Sequence, residues 1–426
     1  MAANPVLKGG LRLLNAFASS GLAERYGVEE QARELVERAA RLGVDLLARG
    51  GDRGASEPSA PKRRFDLTPT ESQELLRTTM RRFALEVLRE AADDADVALG
   101  PPAEVLEMAG ELGLVELAIP EAHGGAGEER SPVTTALLAE ELGYGDMALG
   151  AALLAPVSVA HLALDHGTDD QRRDLLARLR AEPFVAASAA LLEPRPLFDP
   201  RRPSTRARRL GDVYRLRGEK SLVILAERAR FFLVSAKLGK ETRLFVVERD
   251  RPGVSVRPEP TMGLRGAGLG RLELSDVEVP AGALLGEADG FDHQRVVDLG
   301  RLAWSALAVG QGRAVLDYVK TYCNDRVAFG EPITNRQSVA FMIADIAIEL
   351  EGMRLLGWRA AARAERGDPF TREAHLCAVQ SAAYAMKIGT DGVQLLGGSG
   401  YIREHPVERW YRHLRAAGVM EGGLSL

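Results

Sequence analysis

Several groups of residues in this sequence have types or spacings that could do chemistry. Two are glycine-rich: Gly266-Ala267-Gly268-Leu269-Gly270 and Gly397-Gly398-Ser399-Gly400. Such runs cradle a dinucleotide pyrophosphate when they leave a strand and open a helix, because the helix amides then meet the phosphates. The first run here opens a strand and the second closes a helix, so a nicotinamide-binding domain is not expected. Gly397 and Gly398 still allow the close backbone approach that an adenine nucleotide needs; the alternative is a plain helix stop. The third group is basic, with five arginines in the nine residues Arg201 to Arg209. It lacks interleaved aromatics and sits among Pro and Ser, which favours a solvated loop, with phosphate binding by a substrate or partner as the alternative. The two cysteines, Cys323 and Cys377, are far apart in stretches that read as helical, and offer neither a disulfide framework nor a zinc pattern. Glu421, before a glycine near the end of the sequence, reads on its own as a surface residue.

The elements that must position these residues follow from composition and periodicity. A chain of 426 residues, 46% hydrophobic and 27% charged, suits two or three folded units of ordinary globular type. The net charge of −5 gives no basic excess, so no nucleic-acid partner is expected. The cysteine usage fits a reducing compartment, and the cytoplasm is the expected location. Met147 to Leu164 is long and uncharged, but Gly150, Pro156, Ser158 and His161 favour a buried helix pair over a membrane span. Residues 1–64 read as a helical extension and a flexible Gly/Pro/Ser-rich linker. Residues 65–183 carry helical periodicity, with Thr68-Pro69-Thr70-Glu71 as a helix start. Residues 184–285 switch to short β-favouring runs such as Leu244-Phe245-Val246-Val247, predicting a middle antiparallel, barrel-like β-domain. Residues 286–426 return to long helices, predicting a C-terminal helical bundle. The expected class is therefore mainly α with a central β-domain, layered rather than alternating.

Taken together, the residues resemble the acyl-CoA dehydrogenase family. The carriers are Arg326-Val327-Ala328-Phe329-Gly330-Glu331-Pro332-Ile333 with Gln337, then Val393-Gln394-Leu395-Leu396-Gly397-Gly398-Ser399-Gly400-Tyr401, then Pro406-Val407-Glu408-Arg409-Trp410-Tyr411-Arg412, and finally Glu421-Gly422. Weaker carriers include Met262-Gly263-Leu264-Arg265 and Asp276-Val277-Glu278-Val279-Pro280, and the resemblance runs from about 65 to the end. It implies bound FAD, an oligomer, and α,β-desaturation of an acyl-CoA thioester with electrons passed to an electron-transferring flavoprotein. It also implies that Glu421 removes the α-proton while its backbone amide helps to bind the thioester carbonyl. Asp298 and Arg301 would lie near the substrate, or form a helix-surface charge pair. Some family members carry the base just before the arginine that corresponds to Arg301, where this chain has Gly300. Arg326, Phe329, Gln337, Gln394, Gly397 and Gly398 would bind flavin, with Arg326, Phe329, Gln394 and the two glycines reaching across a dimer interface.

On the subunit's own flavin side the sequence departs from the family. Leu192-Glu193-Pro194-Arg195-Pro196-Leu197-Phe198 lacks the family's threonine, and Gly218-Glu219-Lys220-Ser221-Leu222-Val223-Ile224 lacks its aromatic residue and threonine. The chain also ends at Leu426, before the helix that follows the base in the family. These departures predict weak FAD binding by a homo-oligomer and pairing with a related subunit that retains the missing motif. A non-catalytic structural or regulatory subunit of the same fold is the alternative.

Overall fold

The computed structural model describes residues 67–286 and 291–426; the expected helical extension and linker at 1–64 lie outside the described residues. Seven helices come first: α1 (Glu71–Phe83), α2 (Arg89–Ala98), α3 (Ala103–Glu111), α4 (Leu114–Ala118), α5 (Pro132–Gly145), α6 (Met147–His166) and α7 (Asp169–Leu179). A π-helical segment, Ala84–Leu88, joins α1 to α2. The helix starts are chemically specified. Thr70 and Thr168 each form a capping box with the glutamine three residues on, and Asp146 accepts from the Ala148 and Leu149 amides at the start of α6.

The long uncharged stretch is one helix, not a pair. Pro156 lies inside α6, which is apolar on every side because it is packed on every side, with Met147 through Ala163 all buried. By length and hydropathy this helix could cross a membrane, and 94% of its most apolar window is buried in the protein.

Seven strands form the middle sheet: β1 (Ala187–Ala190), β2 (Arg206–Leu210), β3 (Val213–Val223), β4 (Phe231–Leu238), β5 (Glu241–Glu248), β6 (Val254–Pro258) and β7 (Gly270–Pro280). Their order is β1-β4-β2-β3-β7-β6, with β5 on the other edge of β4. The sheet is mixed rather than wholly antiparallel. β1 and β2 both pair in parallel with β4, at Ala187↔Phe231 and Arg206↔Lys237, because long connections bring non-adjacent strands together. Part of the basic run is thus a strand and not a loop. In β2 only Ala207 is buried, and Arg206 and Arg208 point outward.

The third unit holds α8 (His293–Asp325), α9 (Gln337–Glu365), α10 (Thr371–Leu396) and α11 (Val407–Arg415), with a two-residue ladder, β8 (Val327–Ala328) and β9 (Glu331–Pro332), after α8. α8 is the spine. It packs against α5 and α10, and its residues Val296 to Gly312, Arg301 apart, are buried. The helices and the inner face of the sheet share one large core that includes Leu191, Leu299, Trp304 and Leu424, which brings the end of the sequence to the middle of α8.

Candidate active site

Glu421 does not lie on an open surface. After α11 the backbone turns inward, with Gly422 and Gly423 both at positive φ (66° and 79°). A Cβ at Gly422 would sit 2.4 Å from Leu191 Cδ2, so only glycine lets this segment pass beneath β1. Side chains from two helices then hold it. Trp304 Nε1 donates to the Gly422 carbonyl (2.8 Å), Ser158 Oγ accepts from the Ser425 amide (2.9 Å), and His161 Nδ1 faces the Ser425 carbonyl at 3.1 Å. Arg130, itself paired with Asp165, reaches the Leu426 main-chain oxygen. Burial pushes His161 down to about 3, with the Arg130 charge adding to it, so the ring is neutral at physiological pH.

Fixed in this way, the Glu421 carboxylate meets Arg301 of α8 in a two-pronged contact: Nη2 to Oε1 at 2.7 Å and Nε to Oε2 at 3.0 Å. The two side chains are 17% and 26% exposed, which leaves the carboxylate reachable from one side. Asp298, one turn earlier on α8, accepts from Gln294 (2.8 Å) and lies 3.9 Å from Arg301. Burial raises the Asp298 carboxyl above its ordinary range, against the pull of its hydrogen bonds and Arg301. Asp298 is fully buried, so it is not half of a surface charge pair, and Arg301 bridges two carboxylates. A Cβ on Gly300 would lie 2.9 Å from both Gly422 Cα and the Leu424 carbonyl, so no larger side chain fits there while the segment keeps its path. The position next to Arg301 is therefore closed to a side chain, and Glu421 is the partly exposed carboxylate that Arg301 holds.

The remaining predicted site residues lie elsewhere. Arg326 ends α8, Gln337 opens α9, Gln394 lies in the last turn of α10, and Gly397 and Gly398 follow it; all are exposed. Phe329 is 93% exposed, with the Arg336 guanidinium over its ring. No ion pair or side-chain hydrogen bond holds Arg326 or Gln394 among the described residues. Arg326 also lines a cavity of about 570 Å³ with Arg89, Tyr318, Tyr322 and Trp410. These residues are not gathered around Glu421 in one chain; they present an unsatisfied guanidinium, an amide and open glycine backbone outward. That donor set suits a phosphate-bearing ligand.

On the β-domain side, the loop after β1 is held by a buried pair. Lys220 Nζ donates to Glu193 Oε1 (3.0 Å), the Leu191 carbonyl (3.1 Å) and Ser235 Oγ (3.0 Å). Glu193 also accepts from the Ser204 and Thr205 amides. Burial pushes Lys220 down to about 8, against the pull of Glu193. Leu222 is only partly buried and Ile224 is buried, so neither offers a hydroxyl, and the Ser221 hydroxyl is engaged by Glu259. Trp304, Arg130 and Leu191 carried no site role in the sequence, and Ser158 and His161 stood out in it only as polar residues in the long uncharged stretch. The one available signal was the Gly422-Gly423 pair, which marks a turn.

The sequence matches, in order, the acyl-CoA dehydrogenase N-terminal domain over 70–182, the middle domain over 188–277 and the C-terminal domain over 290–424. The chain belongs to the acyl-CoA dehydrogenase family. It is 33% identical to a probable acyl-CoA dehydrogenase of Bacillus subtilis over 84% of this chain and 96% of that protein. It superposes on butyryl-CoA dehydrogenase from Megasphaera elsdenii with a TM-score of 0.77 at 28% identity, covering 84% and 96% of the two chains. It superposes on a glutaryl-CoA dehydrogenase from Mycobacterium smegmatis in complex with FADH2 with a TM-score of 0.76 at 25% identity, covering 83% and 92%. As an acyl-CoA dehydrogenase family member the protein is an oxidoreductase of a family that binds FAD, with the family's helical, half-barrel and helical domains.

Proposed function

We propose that this acyl-CoA dehydrogenase family protein desaturates an acyl-CoA thioester between its α and β carbons, with Glu421 as the base that takes the α-proton. The observation that carries this reading is the two-pronged Arg301–Glu421 contact on a backbone pinned by Trp304. Together they hold one carboxylate, open on one side, at a fixed place beside the spine helix. A carboxylate is a competent base for an α-proton only if the thioester carbonyl is polarised at the same time, and the Glu421 amide is the chain's own candidate donor for that carbonyl. Arg301 and the buried Asp298 orient the base and exclude water behind it. When bound, FAD supplies the acceptor for the β-hydrogen and its electron pair. Arg326, Phe329, Gln394, Gly397 and Gly398 would hold it from a neighbouring subunit, and Gln337 lies beside that surface. An electron-transferring flavoprotein is the proposed electron acceptor.

One observation favours a heteromeric form over a homo-oligomer. Leu192, Leu222 and Ile224 bring no side-chain hydrogen bond to the chain's own flavin side, while the outward-facing residues of the bundle are intact. Pairing with a related subunit would supply the missing donors. Dye reduction with a panel of acyl-CoAs, run on the wild type and Glu421→Gln, tests the chemistry: activity that the substitution abolishes is expected, and equal activity refutes it. Flavin absorbance of the protein expressed alone and with a related subunit tests the pairing. Full FAD loading of the chain alone refutes it.

A further inference from the structure

The outer face of the sheet carries charges that the proposed chemistry does not use. In register, Lys237 of β4 lies beside Arg206 of β2, and Arg206 lies opposite Arg217 of β3. Two residues along, Arg208 lies opposite Arg215. All five side chains are exposed. Arg215 alone is neutralised, by Glu278 on β7 at 2.7 Å. Lys237, Arg206, Arg208 and Arg217 have no ion pair or side-chain hydrogen bond among the described residues; two other exposed acids are near in register, Asp276 in the β7 bulge opposite Arg217, which makes no ion pair among the described residues, and Glu241 beside Leu238, which leans towards Arg243. Like charges directly opposite on neighbouring strands oppose folding, so this arrangement works against stability of the isolated chain.

The face is continuous with the proposed site. The segment between Glu193 and β2 holds Arg201 and Arg202, and the Arg201 carbonyl accepts from Thr242 at the start of β5. The Pro200 carbonyl meets His293 Nε2 (2.9 Å) at the first residue of α8, five residues before Asp298. Arg201 is raised above its ordinary range chiefly by Asp199, and the Glu421 and Asp298 charges contribute as well, so the segment borders the region of the base. The free cations form a row and not a pocket. They span two strand spacings, about 10 Å, across the sheet and about 7 Å along β2. A phosphate subsite would turn its donors inward on one group; a flat cationic row fits an acidic surface of similar breadth.

We propose that this face docks an acidic carrier protein that presents the acyl thioester on a phosphopantetheine arm, the arm passing the Pro200–Thr205 segment to Glu421. The proposal rests on the reading of Glu421 as the base. The partner's carboxylates relieve the repulsion between Arg206 and Arg217, and the cations steer the carrier to the mouth of the site.

The test uses the full-length protein with its flavin and the triple variant Arg206→Glu/Arg208→Glu/Arg217→Glu, with Arg206→Gln/Arg208→Gln/Arg217→Gln as the conservative version. The same acyl group is offered on an acidic acyl carrier protein, on CoA and on pantetheine, and binding of a fluorescently labelled carrier is followed separately by anisotropy. The expected result is carrier affinity and carrier-borne kcat/KM lowered about tenfold or more, with a salt dependence that the reversal abolishes. Turnover of the CoA and pantetheine thioesters should be unchanged, and the Gln variant should unfold no more readily than the wild type. Unchanged carrier binding overturns the proposal. So does a selective loss with the CoA thioester, which would make the face a CoA phosphate subsite, or a change in oligomeric state, which would make it a contact between copies of this chain. Because anisotropy needs no turnover, failure of the base assignment would show as three inactive thioesters with carrier binding intact.

Discussion

Lys220→Met perturbs the buried pair that ties the loop after β1 to the sheet. In the wild type the Lys220 ammonium is 0% exposed and has three acceptors, and Glu193 receives the lysine and two main-chain amides. Removing one member of a buried ion pair costs about 3–5 kcal/mol, because the other charge stays in the interior with its closest partner gone. The Ser204 and Thr205 amides and the Arg195 guanidinium, 3.8 Å away, stay on Glu193 and soften that loss, which places the expected value at the lower end, about 3 kcal/mol. Adding Glu193→Gln removes the stranded charge, so the double variant should be more stable than the sum of the single changes predicts, by about 1–3 kcal/mol. Urea unfolding followed by tryptophan fluorescence and far-UV circular dichroism measures all four proteins, with unfolding slopes compared to confirm that the same transition is seen. A loss below about 1 kcal/mol in Lys220→Met, or strict additivity in the cycle, would refute the argument that the pair is closed to water and mutually dependent.

Trp304→Phe keeps the apolar ring but removes the donor to the Gly422 carbonyl, so stability should fall by about 1–3 kcal/mol. Because that bond positions Glu421, kcat should fall in steady-state assays more than KM rises. Gly300→Ala places a methyl group against the backbone of Gly422 and Leu424 and should cost about 1–3 kcal/mol in chemical denaturation, with reduced turnover; an unaffected variant would mean that the terminal segment does not run there. Glu140, buried and bonded through one oxygen to Trp358 Nε1, is raised by burial to about 8. Its folded-state pKa lies above the unfolded one, so the native state binds the extra proton between about 4.5 and 8, and stability is lost as pH rises through that window. Glu140→Gln should therefore gain stability over the wild type progressively from pH 5 to 8 in thermal melts; a gap that does not change with pH would contradict this.

Much of the fold was legible because its signals are local. The helix start within Thr68 to Glu71, where Thr70 proves to be the cap, the β-branched and aromatic run Leu244 to Val247, and the glycine break at Gly397 each act within a few residues of where they stand. The parallel pairing of β1 and β2 with β4 was not legible, since it depends on which strand edges a long connection brings together. Pro156 suggested a break in the uncharged stretch, yet α6 passes through it, because packing on all sides outweighs one lost hydrogen bond. In the site, the resemblance pointed to Glu421 and Arg301 separately, whereas their direct contact joins residues 120 apart and leaves no local pattern in the sequence. Trp304, Ser158 and His161 look like ordinary helix residues in sequence; their roles appear only when the terminal segment lies against them. The arginine run read as a loop because β-propensity and charge conflict there, and register alone reveals that its members stand opposite other cations.

The most direct test of the base assignment is exchange of the thioester α-proton. Wild-type protein incubated with an acyl-CoA in deuterated buffer should incorporate deuterium at the α carbon, followed by mass spectrometry, and Glu421→Gln should slow that exchange by about 10²–10⁴-fold while retaining the fold and its flavin content. Exchange that continues at the wild-type rate in Glu421→Gln would contradict the account.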